Sequence, residues 1–294
     1  LGLVTAAGSL GLLFPPSLPV ILYSVVASVP ADSLYLAGLV PGFLLVVLTA
    51  AWGIRQGLRL DAEGRSRPRF SLRELGASFW VAKWELALPI LVIVLFASGL
   101  ASMVEAAAAA CAYAAIVECL VTRDIHPFRQ LPGVLVKAGA LMGAVLLLLS
   151  VAMGLTSWLV DAQIPAALLE WVKTHVSSPL AFLLVLNLIL LVLGSVLEIY
   201  SAIVILAPLV APMGAAFGID PIHLGVIFLA NLELGFLFPP VGLNLFLSSS
   251  RFGVPLPKLY RHAVPYLLIL GAGVLLITYV PAMSTGVLSL MGRR

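Results

Sequence analysis

Leu10–Pro16 reads LGLLFPP and Leu234–Pro240 reads LGFLFPP. The stretches lie 224 residues apart and agree at six of seven positions. The register continues without a gap, since Ser24, Val40, Pro41 and Leu44 meet Ser248, Val264, Pro265 and Leu268. Each double proline interrupts an apolar run of membrane length. Proline donates no backbone hydrogen bond and disrupts a helix, so the pattern predicts two helices broken at matching points of a duplicated unit. Paired, interrupted hydrophobic segments point to the binding site of a secondary transporter.

Composition identifies the solvent. Of 294 residues, 62% are hydrophobic and 10% charged, and the mean hydropathy is +1.16. A soluble domain has roughly 45–50% apolar and about 25% charged residues. In a bilayer the backbone must satisfy itself, through helices of about 20 apolar residues or a closed barrel. The period-2 alternation of a barrel is missing. The expected fold class is therefore an all-α polytopic membrane protein, and the matched breaks and the order of spans make it an inverted repeat of ion-transporter type with two broken helices and a re-entrant hairpin. Cys111 and Cys119 are two helical turns apart, too far for a disulfide, and read as small packing residues. The net charge of +3 is spread over short loops and signals no nucleic acid. The chain begins at Leu1 in apolar sequence with no basic n-region, and is expected to be the carboxy-terminal part of a longer protein.

Along the chain, a broken span over 1–29 is followed by a surface segment, PADSLYLAG, and a span near 39–54. The polar stretch 55–83 ends in an amphipathic helix, SLRELGASFWVAKWE, whose Trp80 and Trp84 suit the headgroup region. Spans near 86–103, 104–121 and 134–160 precede an interfacial helix at 165–176. Residues 178–217 are apolar apart from a notch at Gly194–Ser201. The second broken span covers 220–250, and a surface segment, PLPKLYRHA, leads to a last span at 264–283. Arg55, Arg59, Arg65, Arg67, Arg69, Arg73 and Lys83 make 55–83 cytoplasmic under the positive-inside rule. Threading onward puts thirteen of the sixteen basic residues on that face, leaving Lys173, Arg293 and Arg294 outside. Charge does not decide whether 178–217 is two spans or one hairpin. Two 20-residue spans would leave no turn, and Pro208 and Pro212 interrupt the second arm, which favours the hairpin.

No catalytic constellation is visible. The four histidines lack ligand spacing, and no Walker loop is present, so no enzyme activity and no organic cofactor is expected. Coupling to an ion gradient fits better. At FPPSLP (14–19) and FPPVGLN (238–244), proline frees carbonyls in mid-membrane, where they suit a hard cation such as Na⁺. The N-termini of the second half-helices would face a substrate carboxylate. Candidate residues are Gly8, Ser9, Pro16 and Ser17 at the first break, and Pro240, Gly242 and Asn244 at the second. The notch residues Gly194, Ser195, Glu198 and Ser201 would complete the second site. Ser24 and Ser248 read as packing residues. Among the acids, Glu105 is placed to cap the helix of 104–121 and Glu118 to be solvated. Glu198 and Glu233 are placed to touch an ion pathway.

These residues also carry a family resemblance. GSLGLLFPPSLPVILY (8–23), AGLVPG (37–42), LAPLVAPMGAAFGIDPIHLGVIFLANLELGFLFPPVGLNLF (206–246) and ITYVPA (277–282) resemble the large membrane (permease) subunit of tripartite ATP-independent periplasmic (TRAP) transporters. GLASMVEAAAA (99–109) departs from the family's usual GxxTPTEAA. The resemblance covers essentially the whole chain and leaves the family's amino-terminal third, with its first hairpin, unmatched. It implies a Na⁺-driven, elevator-type importer of organic acids such as dicarboxylates, in the inner (cytoplasmic) membrane of a bacterium or archaeon. Its implied partners are a small four-helix membrane subunit and a periplasmic substrate-binding protein. The mobile transport domain would map to 1–54 and 178–294, with 55–177 as scaffold. Implied Na⁺ ligands are Gly8, Ser9 and Ser17, with Pro16 beside them, and Gly194, Ser195, Gly242 and Asn244, with Glu198 and Pro240 beside them. Two other classes stay open: a stand-alone cation/organic-anion symporter, and a non-transporting membrane assembly subunit. Neighbouring genes for a binding protein and a small membrane subunit would separate them.

The charge distribution makes a direct prediction. A cysteine placed at Arg65 is expected to resist membrane-impermeant thiol reagent added from the periplasm, and one at Lys173 to react. The reverse pattern would invert the topology.

Overall fold

A computed structural model describes residues 1–15, 17–61, 71–97, 101–176, 178–240 and 242–291. Pro16, Arg65, Arg67, Arg69, Arg293 and Arg294 lie outside the described residues. Helices α1 (Gly2–Ala7) and α2 (Leu18–Val26) flank a 3-10 turn at Leu10–Leu13, and α3 spans Ala31–Asp61. Next come α4 (Leu72–Val81), α5 (Lys83–Ala97) and α6 (Met103–Ile116), which passes into a π turn at Val117–Val121. α7 (Leu131–Asp161) and α8 (Ile164–His175) lead to α9 (Pro179–Val196) and α10 (Ile199–Ala216). The last four are α11 (Pro221–Gly235), α12 (Leu243–Phe252), α13 (Leu256–Tyr279) and α14 (Ala282–Leu290). No strand occurs among the described residues. Among the described residues, five helices are long and apolar enough to cross a membrane, or up to seven if two bent pairs each count as one span. The chain is an all-α, multi-pass membrane protein.

Local sequence sets the helix ends. Ser178 and Asp220 cap α9 and α11 by accepting backbone N–H groups, each followed by a proline in the first turn. Proline is suited to that position because its missing donor would be unpaired there anyway. Ser102 and Glu105 form a reciprocal capping box at the start of α6, as the sequence led us to expect for Glu105. PADSLYLAG is buried from Leu34 onward, whereas PLPKLYRHA stays on the surface apart from Leu259 and Ala263. They form the first turns of α3 and α13, with Leu34, Tyr35, Leu36 and Ala37, and Leu259 and Ala263, facing inward. The polar residues of each occupy the remaining positions of an amphipathic turn. Cys111 is exposed and Cys119 half-buried, both as free thiols. The packing role expected of Cys111 fails because the alanine-rich α6 leaves that face uncovered by the described residues.

The chain forms two compact units, Leu1–Arg59 with Leu147–Arg294, and Leu60–Leu146. In the first, α11 is the centre: every residue from His223 to Gly235 is buried. A helix apolar on nearly all sides needs neighbours all round, and α9 and α13 both lie along it. Gly194 and Gly235 let α9 and α11 approach backbone to backbone, as small residues do in membrane bundles. A Cβ added at Gly235 would stand 2.6 Å from the carbonyl carbon of Gly194. In the second unit α5 packs on α6, and the Tyr113 hydroxyl donates to the Trp84 carbonyl at 3.0 Å.

The segment 178–217 turns at Leu197–Glu198, inside the predicted notch. Its two ends come back together, with the rings of Phe182 and Phe217 stacked at 4.6 Å between centroids. Each arm has 18 residues, so the length argument against two spans does not hold. Pro208 and Pro212 lie inside α10 without ending it. In membranes such prolines are tolerated because neighbouring groups re-satisfy the freed backbone.

Gly235→Ala is expected to lower stability by about 1–3 kcal/mol through overpacking, read as a lower melting temperature of the detergent-solubilised protein. Gly57→Ala, where an added carbon would meet nothing within 4 Å, should not lower it.

Candidate functional site: the two helix breaks

Both broken segments tighten in the same way before they stop. At the first, Leu12 N–H donates to the Ser9 carbonyl at 3.0 Å and Phe14 N–H to Gly11 at 3.1 Å. At the second, Phe236 N–H donates to Glu233 at 3.3 Å and Phe238 N–H to Gly235 at 3.0 Å. These are the same two bonds displaced by 224 residues. Such i→i+3 closure is how a helix end uses carbonyls that lack an i+4 partner.

The second break is fastened to the α9–α10 turn. Gly242 N–H donates to the Ser195 carbonyl at 3.0 Å, and Asn244 N–H to the Phe236 carbonyl at 3.2 Å. Gly242 has φ +47°, a region that favours glycine. A Cβ there would lie 2.9 Å from the Phe236 carbonyl oxygen and 3.0 Å from that of Phe238. The carbonyls therefore crowd one point that only a bare backbone can reach. The first break is held differently. Ser17 N–H donates to the Tyr35 hydroxyl at 2.9 Å, and that hydroxyl donates to the Ser17 carbonyl at 2.6 Å.

Asn244 joins the two. Its side-chain amide donates to the Thr5 carbonyl at 3.2 Å, and a Cβ on Gly8 would stand 3.3 Å from its nitrogen. One turn further, the Thr5 hydroxyl donates to Ser248 at 3.0 Å, so Ser248 is part of a polar seam between α1 and α12. Of the predicted residues, Gly8 and Asn244 thus meet, and Gly194 and Ser195 meet the segment Gly235–Gly242. Ser9 and Ser17 are buried, and neither hydroxyl has a hydrogen-bond partner among the described residues. Glu198 caps α10 instead, accepting from Tyr200 and Ser201 N–H at 3.1 and 3.3 Å. Pro240 offers its carbonyl to the Tyr260 hydroxyl at 2.6 Å. Glu233, which takes the place of Ser9 in the repeat, is buried, and neither of its oxygens has a partner among the described residues.

Sequence reasoning missed several polar groups. Tyr35 was hidden in a stretch that looked superficial, and Thr5 in an apolar start. The other two asparagines pair with each other: Asn231 donates to Asn187, which also accepts from Thr278 at 3.1 Å. His223 extends this spine, with ring nitrogens 3.2 Å from the Thr278 carbonyl and 3.1 Å from the Ser284 hydroxyl. The rarity of asparagine was the available signal. No group of three His, Cys, Asp or Glu side chains is set to hold a metal among the described residues. A cation at the breaks would be held by carbonyl, hydroxyl and amide oxygens, which suits a hard ion.

Residues 1–283 match the family described as tripartite ATP-independent periplasmic transporter, DctM component. The C4-dicarboxylate TRAP transporter large permease protein DctM of Pseudomonas aeruginosa is 38% identical over 293 residues, 99% of this chain and 67% of that protein. The protein of the same description from Rhodobacter capsulatus is 32% identical, over 99% of this chain and 69% of its own length. The isethionate TRAP transporter permease protein DctMQ of Oleidesulfovibrio alaskensis is 32% identical, over 95% of this chain and 44% of its length. The chain belongs to the DctM family of TRAP transporter large permeases. It spans about two thirds of the length of the DctM relatives and less than half of the DctMQ relative.

Tyr35→Phe leaves the Ser17 amide and carbonyl without their buried partner. It is expected to cost about 1–3 kcal/mol, measured by thermal unfolding in detergent, with Tyr260→Phe, at a more exposed hydroxyl, costing less.

Proposed function

We propose that this chain is the ion- and substrate-handling part of a Na⁺-driven importer of small organic acids, C4-dicarboxylates or similar anions. The complete transporter would work in the cytoplasmic membrane of a bacterium or archaeon, with a small four-helix membrane subunit and a periplasmic substrate-binding protein. The observation that carries this reading is the fastening of both helix breaks into one polar region, with Asn244 bridging to α1 and Gly242 to the α9–α10 turn. Open backbone at membrane depth persists only where it lines a cavity or is buried in protein. Carbonyl-rich half-helix ends then suit Na⁺, and the amino-terminal ends of α2 and α12 suit an anion. The relatives' names supply the substrate class, since a C4-dicarboxylate and isethionate are both small anions.

The contact pattern supports an inverted repeat. α1 touches α12 and α13, while α11 touches α2. A Cβ on Gly2 would run into the His262 carbonyl at the start of α13, and one on Gly225 into Leu34 at the start of α3. Each repeat's first half-helix thus packs on the second half of the other, which a pseudo-two-fold axis requires. The α9–α10 turn meets the break between α11 and α12, as the tip of a re-entrant hairpin would. On this reading residues 1–54 and 178–294 move as an elevator against 55–177. One Na⁺ site draws on Gly8, Ser9 and Ser17, and another on Gly194, Ser195, Gly242 and Asn244.

In the full-length protein, Gly242→Leu, which forces a side chain into a packed site, and Asn244→Leu, which removes the amide that reaches Thr5, are each expected to cut Na⁺-dependent uptake by about tenfold or more. Membrane insertion should be unaffected, checked by immunoblot of the membrane fraction. Wild-type Na⁺ dependence in both variants would move the site elsewhere.

A further inference from the structure

Helix α4 carries Leu72, Leu75 and Phe79 at helical spacing on one stripe, with Arg73, Glu74 and Ala77 on the other side. Every residue of α4 is exposed, the apolar ones included: Leu72 is 75% exposed and Phe79 61%. The helix is nevertheless properly begun, since the Ser71 hydroxyl accepts the Glu74 N–H. A capped helix with a bare apolar stripe implies that something apolar covers it.

Three observations identify the cover. First, α4 meets α5 at 69°. α5 is apolar beyond Glu85 and pinned by the Tyr113–Trp84 bond to α6, which together with its π turn is long enough to cross a membrane. Taken with α5 running beside α6 across the membrane, the 69° bend turns α4 toward the membrane plane. Second, the elbow is made of Trp80, Lys83 and Trp84. The Lys83 ammonium lies 3.7 Å from the centre of the Trp80 ring and 5.2 Å from that of Trp84. Indoles of this kind settle at headgroup depth, and the rings hold the cation there. Third, the sequence from Arg55 to Lys83 has seven basic residues against Asp61, Glu63 and Glu74. A basic excess beside a spanning helix is attracted to anionic lipid.

We propose that α4 and the Trp80–Lys83–Trp84 elbow form a binding site for an anionic glycerophospholipid of the cytoplasmic leaflet. An acyl chain lies along Leu72, Leu75 and Phe79, and Lys83 meets the phosphate. A protein partner would also cover the stripe, but it gives no reason for a cation clasped between two indoles at that level.

The test uses the full-length protein in phosphatidylcholine vesicles, with every tryptophan other than Trp80 and Trp84 (Trp52, Trp158 and Trp171 among them) replaced by Phe so that the elbow tryptophans report. Acyl-brominated phosphatidylglycerol, diluted into the vesicles, is expected to quench them about fivefold more effectively than brominated phosphatidylcholine at equal fraction, the factor expected of one cation at an anionic surface. Lys83→Gln should abolish the preference and Lys83→Arg should keep it. Equal quenching by the two lipids, or a preference that survives Lys83→Gln, would overturn the proposal. Absence of quenching by either would also overturn it and point to a protein cover. If the tryptophan-replaced protein does not fold, phosphatidylglycerol retained by the wild-type and Lys83→Gln proteins through detergent purification decides the matter. Equal retention overturns the proposal, and loss in the variant supports it.

Discussion

A helix that stops in buried, apolar surroundings leaves amides and carbonyls that need partners, at several kcal/mol each when unmet. The arrangement around the two double prolines follows from that constraint. At the second break the partner is backbone: the Ser195 carbonyl in the α9–α10 turn takes the Gly242 amide, and the Phe236 carbonyl takes that of Asn244. At the first break the partner is a side chain, the Tyr35 hydroxyl, which both donates to and accepts from Ser17. The position of Tyr35 is filled by Leu259 in the other repeat. Two copies of one motif thus use different means to satisfy the same unpaired groups.

Polarity elsewhere in the first unit is concentrated on the most protected helix. His223, Asn231 and Glu233 all belong to α11, and all are buried. The first two are tied to α9, α13 and α14 through Asn187, Thr278 and Ser284. Hydrogen bonds between membrane helices are modest individually, yet here they join four helices into a connected set. Glu233 is different, since a buried carboxyl with no partner among the described residues is retained at a cost. Its position directly before the break places that cost beside the polar region.

The helical class, the broken segments and the α9–α10 turn were all legible in the sequence, because double prolines and a polar notch in apolar surroundings have few other meanings. Glu105 was legible for the same reason, as Ser102 stands three residues before it. The buried first turns of α3 were not. Asp32 and Ser33 look like loop residues until the buried stripe beside them is seen. Nor could the sequence say that Glu198 would be used up as a helix cap, because an acid before an apolar helix reads equally as a cap and as an ion ligand. The partners of the breaks, Tyr35 and Thr5, depend on long-range packing that no local pattern records.

The wholly enclosed α11 also bears on how the chain enters a membrane. It has 15 residues, fewer than the roughly 20 that span a bilayer alone, and it carries three polar side chains. As it leaves the ribosome it would partition poorly by itself. α9 is already made at that moment, but α13, which covers another side, is still to come. Insertion of α11 therefore has to wait for, or be held open until, the helix that follows it. Its final seat is reached by late assembly among helices rather than by a single passage into lipid.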